Sequence, residues 1–201
     1  IIMFLIGLNY WSKKGGPLMW EDFDPKTIEK ELQQMKSMKV DVIRAFAFWP
    51  DFEKTPGSVD PVMMDRARQF FDLAESQGVK VYMTFIVGHM SGENWDPSWK
   101  RGDFFQLRDD VKFYISTLVK SFKDHPALGG WILSNELVIY ANSREDVVSS
   151  WIKEMIALIK SIYNTHPVST GDGYWGVLSQ STFNPFDYGD SVDYHGPQSY
   201  T

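Results

Sequence analysis

Six short apolar runs recur along the chain, and the segments between them carry helix signals. The runs begin near residues 4, 41, 79, 130, 167 and 192. Asp24 precedes Pro25 and Asp60 precedes Pro61, and an aspartate followed by a proline is a common start for a helix. Strands and helices alternate without hairpin signals, which predicts repeated βα units around a parallel sheet.

A closed barrel and an open doubly wound sheet both fit this alternation. The first predicted strand is not followed by a Gly-x-Gly-x-x-Gly turn, and no phosphate loop of the Gly-Lys-Ser type occurs. The commonest reasons for a doubly wound sheet are therefore missing.

The apolar runs and their boundaries define the predicted elements. The predicted strands cover residues 4–10, 41–49, 79–87, 129–136, 167–173 and 192–200. Helices are predicted after Asp24, from Asp60 to Gly78, over 109–123 and from near 143 to 164, with long loops over 91–108 and 179–190.

Size, charge and residue usage restrict the classes of function. A chain of 201 residues can bury one sizeable core, so a single domain is expected. The net charge is −6 with no basic stripe, which argues against nucleic acid as a partner. The absence of cysteine excludes disulfides, thiolate chemistry and cysteine metal sites. The apolar start is too short to span a membrane and lacks signal-peptide features, and the compartment stays open.

Tryptophan is unusually frequent, with eight in the chain. Loop tryptophans expose apolar surface unless they cover a core or contact a ligand, and indoles stack well on the apolar faces of sugar rings. Core packing and a binding cleft are both open explanations. Six of them lie in predicted loops: Trp11, Trp20, Trp49, Trp95, Trp99 and Trp175.

Polar residues stand at the ends or in the middle of three predicted strands. Asn135 and Glu136 end the run Trp131 to Leu133, and ligand sites of parallel α/β proteins lie beyond the carboxyl ends of strands. His89 lies just beyond the carboxyl end of the third strand. Arg44 lies within an apolar strand, and a buried guanidinium needs a partner, so we expect a carboxylate next to it.

With these elements placed, the sequence resembles the clan A glycoside hydrolases of the family 5 type, the cellulases and β-mannanases. Arg44 matches the family's strand-two arginine, His89 its strand-three histidine, and Asn135-Glu136 its strand-four pair. Tyr200 matches its strand-six tyrosine, although the family's His-x-Tyr is replaced by Gln-Ser-Tyr here.

The resemblance implies a (β/α)8 TIM barrel of which this chain holds about the first six βα units, as one incomplete catalytic domain over residues 1–201. It also implies a retaining hydrolase of β-linked glucans or mannans that needs no metal or cofactor. Glu136 would be the general acid/base, and the strand-seven glutamate nucleophile is missing from these residues. The implied substrate-binding residues are Asn135, Arg44, His89, Tyr200, Trp11, Trp95 and Trp175.

Two other interpretations stay open at this point. One is a carbohydrate-binding barrel without turnover. The other is a barrel enzyme with unrelated chemistry, for example a metal hydrolase, although Asn9-Tyr10 replaces the His-x-His that such enzymes often carry on strand one.

An incomplete barrel would leave strands one and six as open apolar edges that invite association. We therefore expect those strands to stand apart. Should they pair directly into a closed six-stranded barrel, Asp172 becomes the first candidate for the second carboxylate.

Overall fold

A computed structural model describes residues 4–101, 107–137, 145–171 and 188–196. The strands of this part of the chain are β1 (Gly7–Asn9), β2 (Val42–Phe46), β3 (Lys80–Ile86), β4 (Gly88–Met90), β5 (Glu93–Trp95), β6 (Leu128–Ser134) and β7 (Val168–Ser169). The helices are α1 (Pro25–Ser37), α2 (Trp49–Phe52), α3 (Pro61–Ser76), α4 (Arg108–Phe122) and α5 (Glu145–Ile162), with short 3-10 turns at Gly16–Leu18 and Gly189–Ser191.

Five strands form one parallel sheet in the order β1-β2-β3-β6-β7. Helices connect successive strands of this sheet, so each βα unit adds one strand beside the previous one. This arrangement confirms the predicted alternation and brings the carboxyl ends of all five strands to the same edge.

The two predicted helix starts are confirmed. Asp24 caps α1 by accepting hydrogen bonds from the N–H groups of Lys26 and Thr27. Asp60 caps α3 in the same way. Each cap satisfies backbone donors that the first helical turn leaves without a partner, a contribution of about 1 kcal/mol.

The two faces of the sheet have different roles. Phe85 and Trp131 belong to the face that packs into the buried core, and their rings stack 4.9 Å apart. Arg44 on β2 pairs with Tyr82 on β3, and both line a cavity on the opposite face together with Ile132 of β6. This opposite face is called the inner face below.

The prediction of a long loop over 91–108 and of no hairpins was wrong. Strands β4 and β5 form an antiparallel hairpin with a two-residue turn at Ser91 and Gly92. Both turn residues have positive φ, 57° and 83°, which defines the type I′ turn that suits the twist of a hairpin.

Two further predictions need correction. Residues 192–196, the described part of the predicted sixth strand, are not in a strand, although the Asp193 N–H donates to the Val168 carbonyl. Trp20 and Trp49 were both placed in predicted loops, but Trp49 begins α2. Both indoles are fully buried, so core packing, one of the two open explanations, accounts for them. Within the described residues β1 pairs with β2 and β7 with β6, and these two edge strands are not neighbours.

Candidate active site

Asn135 and Glu136 follow β6 directly, at the carboxyl edge of the sheet. The Asn135 N–H donates to the Ile86 carbonyl (3.1 Å), and the Glu136 N–H donates to the Gly171 carbonyl (3.2 Å). Glu136 has a φ of 48°, which is uncommon for a residue with a side chain. A hydrogen bond from Asn135 to β3 and one from Glu136 to the segment after β7 thus hold Glu136 in a strained conformation, a feature that clusters at functional sites.

Gly171 allows the close approach of β7 to this turn. Its φ is 76°, and a Cβ at this position would lie 2.0 Å from the Ser134 carbonyl oxygen. The sequence placed Gly171 at the end of the fifth strand and attached no role to it. Only glycine fits here, so Gly171 supports the backbone that presents Glu136.

Arg44 lies on the inner face, in the interior that the sequence predicted for it. Its Nε–H donates to Thr84 Oγ1 (2.9 Å), and its Nη2 donates to the Ser134 carbonyl (3.1 Å). The guanidinium also lies over the Phe46 ring, 4.8 Å from its centre. These contacts fix the orientation of the Arg44 side chain. The expected contact between Arg44 and a carboxylate stays a prediction.

Asn135 is buried, with 3% of its surface exposed, and its amide is held by the hairpin. Its Nδ2–H donates to the His89 carbonyl at 2.6 Å. The His89 imidazole contacts its cross-strand neighbour, with Nδ1 2.8 Å from Asn94 Oδ1. A contact between the His89 ring and a sugar stays a prediction, because His89 does not line the cavity that contains Glu136.

A cavity of about 870 Å³ extends from Glu136 along the edge strand β1. Trp11 lines it and is 37% exposed, so its indole can contact a ligand. Met90 and Ser91 of the hairpin also line this cavity. Glu31 is the other carboxylate among the described lining residues, and it accepts hydrogen bonds from the Tyr10 hydroxyl and the Lys13 N–H.

The remaining predicted site residues lie elsewhere. Trp95 packs edge-on against Phe48, with ring centres 4.7 Å apart, and its Nε1–H donates to the Met90 carbonyl. In this position Trp95 fixes the hairpin, and its contact with substrate stays a prediction. Trp175, Tyr200 and the fallback candidate Asp172 lie outside the described residues.

The sequence missed two tyrosines on the inner face. Tyr82 and Tyr194 pack edge to face, 6.1 Å apart, and line a cavity of about 390 Å³ together with Arg44. Burial raises the pKa of both hydroxyls, so both stay protonated hydrogen-bond donors. Tyr82 could have been found from its alternation with the apolar residues of β3, whereas Tyr194 lies in a segment with no strand.

Asp72, Glu75 and His125 bring possible metal-ligand atoms within 4.8 Å of one another. Nδ1 of His125 accepts a hydrogen bond from the Ala127 N–H, so the ring hydrogen lies on Nε2, which contacts Asp72 at 3.0 Å. A metal ion at Nε2 would displace this hydrogen and the contact with Asp72, so the described contacts favour a hydrogen-bonded histidine over a metal ligand.

The described helices were also compared with the requirements for a membrane span. None of them is long and apolar enough to cross a bilayer.

Comparison with known proteins places the chain in a family. The profile described as "Domain of unknown function (DUF4434)" matches residues 24–182. The chain belongs to this family.

Curated relatives of the chain carry mannanase names. The chain is 25% identical to the putative mannan endo-1,4-beta-mannosidase 9 of Oryza sativa subsp. japonica, over 89% of this chain and 50% of that protein. It is 27% identical to mannan endo-1,4-beta-mannosidase 3 of Arabidopsis thaliana, over 57% of this chain and 34% of that protein. The chain thus spans about half or less of the length of these relatives.

Solved structures agree on the fold. The exo-beta-1,4-mannosidase Op5Man5 from Opitutaceae bacterium strain TAV5 superposes with a TM-score of 0.82 at 27% identity, over 87% of this chain and 32% of that one. A GH5_18 protein from Streptomyces cattleya in complex with Manb1-4GlcNAc superposes with a TM-score of 0.85 at 20% identity. The match covers 91% of this chain and 48% of that one. The sheet is therefore part of a (β/α)8 barrel, and the resemblance of this DUF4434 member to family 5 mannanases is supported.

Proposed function

We propose that this chain forms the acid/base side of a retaining glycoside hydrolase that acts on β-linked mannan. The observation that carries the proposal is the position of Asn135 and Glu136 directly after β6, at the carboxyl edge of a parallel barrel sheet. Active sites of barrel enzymes lie at this edge. The mannanase names of the relatives favour mannan over glucan as the substrate. Residues 1–201 would belong to one catalytic-barrel domain.

Glu136 would act as the general acid and then as the general base. A glycosidic bond breaks when its leaving oxygen receives a proton and its anomeric carbon is attacked from the other side. In the first step Glu136 gives its proton to the leaving oxygen while a carboxylate outside these residues forms a covalent glycosyl–enzyme. In the second step the Glu136 carboxylate takes a proton from water while the water oxygen bonds to the anomeric carbon and the bond from that carbon to the second carboxylate breaks, which releases the sugar and restores both groups.

The residues around Glu136 would hold the sugar and the second carboxylate. Arg44 is fixed on the inner face by Thr84 and Ser134, where its charge can keep a nearby nucleophile ionised. Asn135 is placed beside Glu136, where its amide can bond a sugar 2-hydroxyl, a contact that strengthens in the transition state. Trp11 lines the same cavity with an exposed indole that suits stacking on a sugar ring.

A carbohydrate-binding barrel without turnover is the second candidate. One observation favours it: of the two carboxylates that line the cavity in the described residues, Glu31 is engaged by Tyr10 and Lys13. A hydrolase of this type needs two carboxylates about 5–5.5 Å apart, so a nucleophile other than Glu31 would have to come from outside the described lining residues.

Product analysis separates the two candidates. The full-length protein is incubated with β-mannan, β-glucan and cellulose, and products are followed by chromatography and by NMR of the anomeric proton. We expect mannan fragments that first appear as the β-anomer, since a double displacement retains configuration. An α-anomer as first product would contradict the retaining mechanism, and binding without cleavage would support the second candidate.

A further inference from the structure

The hairpin β4–β5 contacts the candidate site through its backbone. Within the described residues, the Asn135 amide Nδ2 donates to the His89 carbonyl at 2.6 Å, and Asn135 itself is almost completely buried. A buried amide held this closely by a carbonyl cannot rotate freely, because rotation would leave a buried donor without a partner. The position of the His89 carbonyl therefore sets the plane of the Asn135 amide.

The His89 side chain is held in turn by Asn94. Nδ1 of His89 lies 2.8 Å from Oδ1 of Asn94, directly across the hairpin. An amide oxygen only accepts hydrogen bonds, so the hydrogen of a neutral His89 ring lies on Nδ1. The contact fixes both the ring orientation and its tautomer.

The turn and the second strand of the hairpin are also fixed by local contacts. Its two-residue turn at Ser91 and Gly92 has the backbone twist that hairpin strands need. Trp95 anchors the second strand by packing on Phe48 and by donating to the Met90 carbonyl. A motion of this hairpin would move Met90 and Ser91, which line the cavity with Glu136.

We propose that the β4–β5 hairpin positions Asn135, and that Asn94 is the positioning residue that acts through His89. Asn94 contacts His89, the His89 carbonyl orients the Asn135 amide, and Asn135 stands next to the proton donor Glu136. The consequence for catalysis rests on the proposed function. The consequences for the His89 tautomer and the Asn135 amide do not.

Nitrogen-15 NMR of the full-length protein tests the first link. In the wild type we expect the His89 ring in the Nδ1–H form. Asn94→Ala removes the acceptor and should shift the ring toward the Nε2–H form, whereas Asn94→Asp keeps an acceptor and should preserve the wild-type form. Glu93→Ala is the matched control, since Glu93 is the exposed neighbour on the same strand, and it should leave the tautomer unchanged.

Hydrogen exchange of the Asn135 side-chain amide tests the second link. Asn94→Ala should speed this exchange about tenfold, the effect expected from loosening one buried hydrogen bond. His89→Ala keeps the carbonyl but removes the ring, so it should give the same increase and replaces Asn94→Ala should that variant fail to fold. Exchange at the wild-type rate in a folded variant would overturn the proposal, and so would an equal increase in Glu93→Ala.

Steady-state kinetics give the catalytic consequence. If mannan is cleaved, Asn94→Ala should lower kcat by about tenfold with little change in KM, because misplacement near the reacting atoms costs turnover. Asn94→Asp keeps an acceptor for His89 and should retain most of the wild-type kcat. If no substrate is cleaved, the proposed function fails, and the two NMR measurements still decide whether the hairpin positions Asn135.

Discussion

The indole Nε1–H of Trp49 donates a hydrogen bond of 2.6 Å to Oε2 of Glu53, and both residues are completely buried. Oε1 of the same carboxylate accepts from the Gly57 N–H at 2.7 Å, and the Glu53 carbonyl accepts from the indole of Trp99. Glu53 thus joins α2, the loop that follows it and the segment beyond the hairpin into one unit.

Glu53→Gln should destabilise the protein by about 1–3 kcal/mol at pH 7. A glutamine offers one oxygen to two donors, so either Trp49 or Gly57 faces an NH2 group and loses its partner. Urea unfolding of the full-length protein measures the loss. Glu75→Gln, an exposed change on α3, is the control and should stay within about 0.5 kcal/mol of the wild type; an equally mild effect at Glu53 would contradict the assigned role.

Asp51 should make the protein more stable as the pH falls. Burial, and to a lesser extent the negative charge of Glu21, raise the pKa of Asp51 from 3.8 to about 6, while Lys54 opposes the shift. Its Oδ2 is buried without a hydrogen-bond partner among the described residues. The folded state therefore binds the proton more tightly than the unfolded state, and the stability due to this group is gained between pH 6 and pH 3.8.

The variant Asp51→Asn tests whether Asp51 makes the protein more stable as the pH falls. At pH 7.5 the variant should be more stable than the wild type by about 1–3 kcal/mol, with the lower end favoured because water screens a half-buried charge. The difference should vanish below about pH 4, where Asp51 is protonated in both states. Asp65→Asn, exposed on α3, should show no such gain, and a gain at Asp51 that does not change with pH would contradict the explanation.

Gly171→Ala should be far more costly than Gly57→Ala. Both glycines have positive φ, 76° and 71°, but a Cβ at Gly57 meets nothing within 4 Å, whereas at Gly171 it meets the Ser134 carbonyl. The Gly57 change should cost about 1 kcal/mol, the cost of the left-handed backbone alone. The Gly171 change adds overpacking of about 1–3 kcal/mol. Equal losses in urea unfolding would show that β7 does not support the turn at Glu136.

Local signals in the sequence were sufficient to predict the helix starts and the alternation of strands and helices. The caps Asp24 and Asp60 form with the donors that lie two and three residues ahead, so their spacing alone identifies them. The position of Glu136 at the carboxyl edge could be predicted because an apolar strand that ends in polar residues marks this edge of a parallel sheet. These features depend on residues that are close in the chain.

Features that depend on distant contacts could not be predicted in this way. The hairpin has strands of only three residues, and its turn begins with Ser91 rather than the usual asparagine, aspartate or glycine. The role of Gly171 depends on Ser134, which is distant in sequence. The burial of Trp20 depends on its packing against Phe52 and Phe70, both from other elements.

The central claim is that Glu136 delivers the proton to the leaving group, and the kinetics of Glu136→Gln test it most directly. The full-length variant is assayed on β-mannan, whose leaving group needs a proton, and on a dinitrophenyl β-mannoside, whose leaving group does not. We predict that kcat/KM falls by about 10²–10⁴ on mannan and by less than about tenfold on the aryl glycoside.

Glu31→Gln, at the other carboxylate among the described residues that line the cavity, is the control and should affect both substrates alike. For Glu136→Gln, an equal loss of kcat/KM on the two substrates, or full activity on both, would contradict the assignment of Glu136 as the general acid/base.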